Sequence, residues 1–359
     1  MSARPKIGIV LFQLGGPDSL EAVEPFLFNL FCDPDIIPIP IVGGLLRKPL
    51  ARYIARKRAP HVAEHYRDIG GGSPIGQLTA RQGAALAAAL RPDFDPLVAI
   101  AMRYWRPTTE DAVAQIRAAS LDQIVLLPLY PHFSYATTLS SLKEWNRCYR
   151  ATSSPSAPPS SPSSTSPTSS TFDSPPIRTV GDFHRHPLYI EALVDRINST
   201  FRHFDSPGEV HLVFSAHGIP LSLVKKGDPY PQQIESTVRA VVERGAWPNP
   251  HTLCFQSRVG PMKWLEPATT ATLARLGSEG VKRVLIVPVA FVTEHVETLH
   301  EINIEAREIA EHAGIQQFRM MPAVGDSPKF IACLADLVRT ALAVSSKSAD
   351  DPTVAPHSA

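Results

Sequence analysis

The chain has 359 residues, which is long enough for two domains of ordinary size. Its 44% hydrophobic and 19% charged residues are typical of globular proteins and exclude wholesale disorder. The 35 basic and 34 acidic residues leave a formal net charge of +1, so the charge gives no reason to expect a nucleic-acid partner.

Neither the apolar runs nor the cysteines indicate a membrane or an oxidising compartment. The longest apolar runs, 36–46 and 284–292, are shorter than the roughly 18 residues of a membrane-spanning helix, so we predict no transmembrane segment. The run 7–14 leads into a Gly-Gly-Pro stretch rather than the small-residue cleavage site of a signal peptide. The 4 cysteines are scattered without a C-x-x-C pair, which predicts a cytoplasmic protein without structural zinc or disulfides.

Short apolar runs alternate with helical patterns along the chain. The runs are continuously apolar, as expected of parallel strands buried on both faces. The predicted strands are 6–14, 97–104, 123–129, 177–180, 209–215, 252–256, 283–290 and 316–321, and the predicted helices are 19–31, 79–90, 108–119, 187–204, 231–243 and 294–313. Thr108 comes just before the acidic residues Glu110 and Asp111, a pattern that predicts a capped helix start.

A Ser/Pro-rich segment divides the chain. Residues 152–176 are almost wholly Ser, Pro, Thr and Ala, with one charge at Asp173. Because such a segment buries too little apolar surface to offset its ordering entropy, we predict a flexible surface insertion, with a Pro-rich docking ligand as the alternative. The strand–helix alternation on both sides predicts two doubly wound α/β domains with parallel sheets.

Chemistry in such sheets is expected beyond the carboxyl ends of the strands. No G-x-G-x-x-G or P-loop motif follows a predicted strand, so a nucleotide enzyme lacks its usual support. His217 and Gly218 follow the strand 209–215 and would face the predicted cleft. From position alone, a structural histidine and one that transfers protons or binds metal both remain open.

A stripe of carboxylates follows the strand 283–290. Its members are spaced three, four, four and three residues apart, with His295 among them: Glu294, Glu297, Glu301, Glu305 and Glu308. Like charges on one helical face repel each other unless water or a cation lies between them. A solvated face and a path that holds a divalent ion loosely are both consistent with this pattern.

Seven stretches of the chain resemble the ferrochelatase family. They are 8–17 (GIVLFQLGGP), 66–75 (YRDIGGGSPI), Arg103 with Tyr104, 215–220 (SAHGIP), 227–231 (GDPYP), 256–261 (QSRVGP) with Trp264, and 294–299 (EHVETL). They occur in the family's order from residue 8 to about residue 340, leaving out the insertion and the tail.

The resemblance implies a fold of two Rossmann-like, doubly wound domains with a porphyrin cleft between them. On this basis we expect a first domain at 1–150, the flexible insertion at 151–176, a second domain at 177–321, a C-terminal helix at 322–345 that returns to the first domain, and a disordered tail at 346–359. The implied reaction is insertion of Fe²⁺ into protoporphyrin IX with release of two protons, the step that forms haem. A coproporphyrin III ferrochelatase and a non-catalytic tetrapyrrole or metal carrier are the alternatives.

The resemblance also implies the site residues. His217 and Glu297 correspond to the catalytic pair that also contacts the metal, and a delivery path would run through Glu294, His295, Glu301 and Glu305. The expected porphyrin-contacting residues are Leu14, Arg58, Tyr66, Ser73, Arg103, Tyr104 and Trp264. These residue types suit the chemistry, because an imidazole titrates near neutral pH and because oxygen and imidazole ligands hold Fe²⁺ weakly enough to release it.

The expected partners are porphyrin and ferrous iron, which are substrates rather than resident cofactors. Some relatives carry a [2Fe–2S] cluster on four cysteines. Here the stretch 130–138 lacks cysteine and none follows Cys333, so we expect no cluster and no permanently bound cofactor. A peripheral contact with a membrane stays open.

Overall fold

The computed structural model describes residues 3–33, 46–151, 175–258 and 262–343. The predicted insertion, apart from its first residue and its last two, and the whole of the predicted tail lie outside these residues. Within them the strands form two four-stranded sheets whose pairs are all parallel. No helix of the described residues is long and apolar enough to cross a membrane.

The first sheet has the strand order β2-β1-β3-β4. Its strands are β1 (Lys6–Gln13), β2 (Asp95–Met102), β3 (Gln123–Pro128) and β4 (Ile177–Thr179). Its helices are α1 (Val23–Cys32), α2 (Arg47–Asp68), α3 (Ile75–Leu90), α4 (Thr109–Ala118) and α5 (Ser140–Ala151), the last preceded by a short π-helix at Tyr135–Leu139. Every residue of β1 after Lys6 is buried, which explains why its sequence is apolar throughout instead of alternating.

The second sheet repeats this plan with the order β6-β5-β7-β8. Its strands are β5 (His211–His217), β6 (His251–Gln256), β7 (Arg283–Pro288) and β8 (Gln317–Met320). Its helices are α6 (Pro187–Phe201), α7 (Leu221–Val224), α8 (Tyr230–Gly245), α9 (Thr269–Ser278), α10 (Arg307–His312) and α11 (Pro328–Ala343), with a 3₁₀ turn at Pro207–Glu209. A π-helix, Glu297–Ala306, runs directly into α10.

The position of β4 corrects one predicted boundary. We assigned residues from 177 onward to the second domain, but β4 pairs with β3 of the first sheet, where Ile177 lies opposite Ile124. The first sheet therefore takes its edge strand from the far side of the insertion.

The C-terminal helix also contacts both halves. α11 packs against α6 and against α3, β3 and β4 of the first sheet. Phe330, Leu334 and Val338 are fully buried on it, a spacing of four residues that forms one apolar face. The helix begins at Pro328, later than the predicted 322, because residues 321–327 form a loop in which Gly325 has φ 55°.

Four helices of the described residues were not predicted from the sequence, namely α2, α5, the one-turn α7 and α9. α2 is the longest of these, and it buries little besides Ala51, Ala55, Ala59 and Tyr66 while its basic residues face solvent. Small alanines at a spacing of four carry a weak apolar signal, and Pro60 within the helix weakens it further.

The predicted helix 294–313 exists, but its first ten residues from Glu297 wind as a π-helix before α10 continues as an α-helix. A π-helix forms hydrogen bonds between residues five apart, so side chains at a given sequence spacing point in different directions than on an α-helix. Wide turns of this kind are frequent at functional sites.

Two glycines allow the loop after β1 to contact the loop before α3. A Cβ on Gly16 would lie 2.6 Å from Ser73 Oγ, and a Cβ on Gly72 would lie 2.5 Å from the carbonyl oxygen of Asp18. Only residues without a side chain fit at this distance, so Gly16 and Gly72 allow the two loops to pack tightly.

Thr108 caps α4 as predicted, and this cap gives a test of local stability. Thr108 Oγ1 accepts a hydrogen bond from Asp111 N (3.1 Å), and the Asp111 carboxylate accepts one from Thr108 N (2.8 Å). Thr108→Ala should therefore lower the free energy of unfolding by about 1 kcal/mol. Thr108→Ser keeps the hydroxyl and should retain most of the stability that the cap provides. Urea denaturation followed by circular dichroism measures both. Equal midpoints for the wild type and Thr108→Ala would contradict the prediction.

Candidate active site

Parallel strands bring their carboxyl ends to one edge of each sheet. β5 pairs with β6 on one side and with β7 on the other. The connections that follow β5 and β7 therefore run in opposite directions along the sheet. Ligands of doubly wound sheets bind at such a switch point. His217 is the last residue of β5, and Glu297 follows β7 at the start of the π-helix, so both lie at this point.

His217 and Glu297 form a hydrogen-bonded ion pair. His217 Nδ1 lies 2.9 Å from Glu297 Oε2. The two side chains are 36% and 26% exposed, so their functional groups remain accessible from the cleft. The sequence motifs named these two residues separately, and the structure brings them together from positions 80 residues apart.

The pair holds opposite charges on its two members. Burial lowers the pKa of His217, but the negative charge of Glu297, its hydrogen bond and the charge of Glu301 together outweigh burial and raise that pKa above its ordinary 6.5. Burial raises the pKa of the Glu297 carboxyl, but the charge and hydrogen bond of His217 reverse this effect and lower it to about 2. The metal-free pair is therefore an imidazolium and a carboxylate over a wide pH range.

Two side chains at the end of β6 fix this pair and were not predicted as site residues. Gln256 Nε2 donates to the carbonyl oxygen of Glu297 (3.1 Å), while its Oε1 accepts from Ser215 Oγ (2.8 Å). Ser257 donates both its N–H, at 2.6 Å, and its hydroxyl to the Glu301 carboxylate. The rule that parallel strand ends meet would have found both residues, because β6 lies next to β5.

Ser257 has a left-handed backbone conformation, with φ 65°. Such a conformation is uncommon for a residue with a side chain, and the two hydrogen bonds to Glu301 hold it there. Gly218, which follows His217, packs closely against the end of β6. A Cβ at this position would lie 2.9 Å from the carbonyl oxygen of Gln256.

The predicted carboxylate stripe is divided among different partners. Glu294 accepts from Ala323 N (2.6 Å) and from Thr298 Oγ1 (2.5 Å), which links the loop after β7 to the loop after β8. Glu297 is bound to His217, and Glu301 to Ser257. The stripe is thus not a row of equivalent solvated acids, since each of these three carboxylates has a specific contact.

His295 also has a local partner. Its Nδ1 accepts a hydrogen bond from Glu297 N (3.0 Å), and its ring packs edge-on against Phe291 at 4.6 Å between centroids. Burial lowers the pKa of His295 below its ordinary value, and the charges of Glu297 and Glu294 only partly oppose this. The neutral ring therefore orders the start of the π-helix.

Four of the expected porphyrin-contacting residues come from both halves of the chain, and the charge of Glu297 reaches one of them, Tyr66. Tyr66, near the end of α2, is buried, and its pKa is raised by burial first and by the charge of Glu297 second. Leu14 and Ser73 are half-buried in the two loops that meet at Gly16 and Gly72. Trp264 is half-buried, and its backbone pairs with Pro220 just after the His217 loop.

The other predicted contact residues have partners of their own. Arg103 donates to Asp33 Oδ2 (2.6 Å) and to Ser140 Oγ (2.9 Å), and Tyr104 Oη donates to the same Asp33 oxygen (2.6 Å). Tyr104 is buried, whereas Arg58 is exposed with its guanidinium over the ring of Phe31. Arg103 and Tyr104 thus form one polar cluster with Asp33, and Tyr104 packs in the same group of side chains as Tyr66 and Val296.

Two buried amides join the halves around the site. Gln13, at the end of β1, donates to Thr293 Oγ1 (3.4 Å) in the loop after β7. Gln82 of α3 donates to the carbonyl oxygens of Val292 (3.1 Å) and Gly325 (2.9 Å). Both amides therefore hold the first half against the loops that follow β7 and β8, next to the segment that leads to Glu297.

The charge state of His217 gives a direct test of this geometry. Glu297→Gln removes the negative charge but not the burial, so the pKa of His217 in the metal-free protein should fall relative to the wild type. Histidine titration by NMR measures this value. Glu308→Gln, an exposed substitution in α10, is the matched control and should leave it unchanged.

The same pair should make stability depend on pH. The raised pKa of His217 stabilises the fold below pH 6.5, and this contribution is lost as the pH rises through the folded-state pKa. The lowered pKa of Glu297 stabilises it above pH 4.5, and this contribution is lost as the pH falls towards 2. Urea denaturation should show the largest difference between wild type and Glu297→Gln between these two ordinary values, and a difference independent of pH would contradict the ion pair.

Solved structures confirm the predicted fold class. The chain is similar to the sirohydrochlorin chelatase SirB from Bacillus subtilis subspecies spizizenii, with a TM-score of 0.52 and 10% identity over 96% of this chain and 98% of that one. It is also similar to DR2241 from Deinococcus radiodurans, a multi-domain protein with structural similarity to chelatases, with a TM-score of 0.50 and 14% identity over 93% of this chain and 54% of that one. At these identities the likeness concerns the fold alone.

Sequence relatives are much closer. A protein named ferrochelatase from Picosynechococcus sp. is 44% identical over 339 residues, covering 94% of this chain and 83% of the relative. Another ferrochelatase, from Citrifermentans bemidjiense, is 44% identical over 337 residues and covers 94% of this chain and 98% of the relative. The profile of the ferrochelatase family matches residues 6–342. Together with the paired His217 and Glu297 in the cleft, these matches show that the chain belongs to the ferrochelatase family.

Proposed function

We propose that this ferrochelatase inserts Fe²⁺ into protoporphyrin IX at the His217–Glu297 pair. Family membership establishes the general activity, which is iron insertion into a porphyrin during haem synthesis. The assignment of residues to that reaction rests on one observation, the 2.9 Å contact between an imidazole and a carboxylate at the switch point of β5 and β7.

The two members of the pair suit different tasks. Two pyrrole N–H protons must leave the porphyrin as the metal enters, so the reaction needs a base that titrates near neutral pH. A carboxylate whose pKa is lowered to about 2 is a weak base, whereas an imidazole is an effective one. We therefore assign proton removal to His217 and attraction of the metal to Glu297.

Arrival of the metal would switch His217 into its basic form. In the metal-free pair the raised pKa of His217 favours the imidazolium, which has no lone pair for a pyrrole proton. A divalent cation near Glu297 competes for the carboxylate and repels the imidazolium, and both effects lower the pKa of His217. The imidazolium then releases its proton to solvent in the open cleft. The neutral ring takes the first pyrrole proton, passes it to solvent, and can then take the second.

The donor types suit a metal that must pass through. Imidazole nitrogen and carboxylate oxygen hold Fe²⁺ less firmly than thiolates do, so the ion can leave for the four porphyrin nitrogens. Within the described residues, Cys148, Cys254 and Cys333 are buried, and none of them contacts His217 or Glu297.

The porphyrin itself is the part of the proposal that needs a direct assay. We favour protoporphyrin IX over coproporphyrin III on the sequence 259–262, of which 259–261 lie outside the described residues. A non-catalytic carrier would need neither a base nor a metal ligand in its cleft, and the intact His217–Glu297 pair argues against it. A cytoplasmic location, the lack of an iron–sulfur cluster and peripheral membrane contact stay predictions.

The decisive assay is anaerobic incubation with Fe²⁺ or Zn²⁺ and each porphyrin, followed by the shift of the Soret band. Faster turnover of coproporphyrin III would overturn the choice of substrate. Binding of either porphyrin without metal insertion would support the carrier instead.

Substitution of the pair should separate catalysis from metal supply. His217→Ala should lower kcat at least about a hundredfold, because loss of a positioned acid–base group typically costs 10²–10⁴. Glu297→Gln should lower kcat at every iron concentration, whereas Glu305→Gln should mainly raise the KM for iron, since more metal offsets weaker delivery. Glu308→Gln is the matched control.

Steady-state kinetics with varied Fe²⁺ at saturating porphyrin gives these parameters. Glu301→Gln should affect porphyrin binding in addition to the kinetics with iron. The reason is that the Glu301 carboxylate holds Ser257 in its left-handed conformation. Equal and small effects of all the glutamate substitutions would mean that the stripe is only a charged surface.

A further inference from the structure

The π-helix that carries Glu297 is bound by a side-chain donor near each of its ends. At the start, Gln256 Nε2 of β6 donates to the carbonyl oxygen of Glu297 (3.1 Å). Near the end, Arg307 Nε donates to the carbonyl oxygen of Asn303 (3.0 Å). A helix carbonyl normally accepts a hydrogen bond from a backbone N–H of its own helix. The two side-chain donors therefore mark the places where the winding is fixed by other groups.

Arg307 binds the carbonyl group that its own backbone N–H would bind in an α-helix. In an α-helix, the N–H of residue 307 would donate to the carbonyl oxygen of residue 303. Here this N–H donates to Ile304, only three residues back, and the guanidinium binds Asn303 instead. A side-chain bond thus replaces the backbone bond of an α-helix at the step where the π-helix ends and α10 begins.

The guanidinium of Arg307 is itself held by several groups. Its Nη2 donates to Asn303 Oδ1 (2.7 Å), and its Nη1 donates to the carbonyl oxygen of Phe318 in β8 (2.8 Å). Its Cζ lies 5.0 Å from the centroid of the Phe318 ring. A planar guanidinium can donate in several fixed directions at once, which the ammonium of a lysine cannot do. Arg307 therefore ties the end of the π-helix to the second sheet.

Gln256 is held at the other end by a buried polar network. Its Oε1 accepts from Ser215 Oγ (2.8 Å), and Ser215 Oγ lies 3.0 Å from Thr269 Oγ1. These three residues are between 0% and 4% exposed. Because Oε1 accepts from Ser215, Nε2 is the atom that donates to the carbonyl oxygen of Glu297. Buried polar networks whose members are paired are rigid, so the amide has one orientation.

Gln256 also contacts the backbone beside the other member of the catalytic pair. It lies opposite His217 in the register of β5 and β6. Its carbonyl oxygen accepts from the N–H of Gly218, the next residue, at 2.8 Å. One residue therefore binds the backbone on both sides of the 2.9 Å contact between His217 and Glu297.

The buried face of the segment determines which part would move if either donor were lost. Three side chains, four residues apart, are buried in the core of the second half: Ile302, Ala306 and Ala310. This packing fixes the later part of the segment, which includes Glu305. A change from π to α winding turns the remaining side chains relative to that part. The turn would therefore displace Glu297 and Glu301 from their partners His217 and Ser257.

We propose that Arg307 and Gln256 are positioning residues, which hold the segment in its π winding and thereby keep Glu297 against His217 for metal insertion. Their side chains bind backbone carbonyl groups of the π-helix rather than the imidazole or carboxylate of the pair, so they act through its placement. The role in insertion rests on the proposed function. The effect on the winding does not.

Hydrogen exchange of the porphyrin-free protein, followed by mass spectrometry, tests the winding. In Arg307→Met and Gln256→Leu, the amides of residues 297–306 should exchange at least about tenfold faster than in the wild type, because local opening becomes easier. The amides of β7 should exchange at the wild-type rate. Far-UV circular dichroism checks that the buried Gln256→Leu variant is folded, and the half-buried Arg307→Met variant is informative without it.

Steady-state kinetics tests whether the winding matters for insertion. Both variants should lower kcat at least about tenfold, because small misplacements of reacting groups cost this much or more. The KM for iron should change little, since Glu305 lies in the part of the segment that stays fixed. A residue that only stabilised the fold would lower the melting temperature without lowering kcat of the folded protein.

Further variants separate the contacts of Arg307 from its charge. Arg307→Lys keeps the charge but not the set of donors, so it should lose kcat as well. Asn303→Asp keeps an acceptor for the guanidinium and should retain activity, whereas Asn303→Leu should lose part of it. Arg319→Met and Gln232→Leu are the matched controls, because they make the same changes at exposed positions of β8 and α8 and should behave as the wild type does.

The two measurements distinguish this inference from the proposed function. If the wild type inserts no iron while both variants exchange faster, the proposed function fails and the control of the winding stands. If the wild type inserts iron and both variants keep its kcat, this inference alone is overturned. Unchanged exchange in both variants would also overturn it, and Arg307 would then be only a link between α10 and β8.

Discussion

The hydrogen bond between His217 and Glu297 is the contact on which the arrangement of the cleft depends. It joins the last residue of β5 to the first turn of the π-helix. Gln256 supports it from β6 through the carbonyl oxygen of Glu297, and Gln13 reaches across from β1 to Thr293. Charged groups in a partly buried site destabilise the fold strongly when one partner is missing, so these amides keep the pair together as well as in place. The stability of the fold and the charge state of the site are thus coupled through one contact.

The π-helix explains how several carboxylates can lie so close together. On a regular helix, like charges four residues apart would repel one another across an exposed face. Here Glu294 is bound to a backbone amide, Glu297 to a cationic ring and Glu301 to the Ser257 amide and hydroxyl. Each carboxylate is therefore compensated by a group from a different part of the chain. The wide winding turns each side chain towards its own partner, which a helix with a uniform solvated face would not do.

Local sequence patterns predicted the sheets, and the family resemblance pointed to His217 and Glu297, but neither predicted the contacts that support them. Continuous apolar runs such as β1 predicted buried parallel strands, and the Thr108 pattern predicted a capped helix. The π-helix could not be predicted, because so short a segment shows no apolar pattern that distinguishes it from an α-helix. The rule that parallel strand ends meet could have pointed to Ser257, but not to its contact with Glu301. The contact between Asp68 and His300 joins residues 232 positions apart and could not be predicted. Such contacts depend on how the halves pack, which no local pattern contains.

The way in which α11 and β4 complete the first sheet has a consequence for synthesis on the ribosome. When the chain emerges from the ribosome with its N-terminus first, β1, β2 and β3 can pair early. The other edge of β3 stays unpaired until β4, which ends at residue 179, has been synthesised. The apolar surfaces of α3 and β3 stay uncovered until α11, ending at residue 343, is made. Uncovered apolar surface favours association with other chains, so the nascent first half has the greatest need for a chaperone just before translation ends. A frameshift or early stop that removes only α11 would expose the core of the half that is synthesised first, although it leaves His217 and Glu297 in the chain.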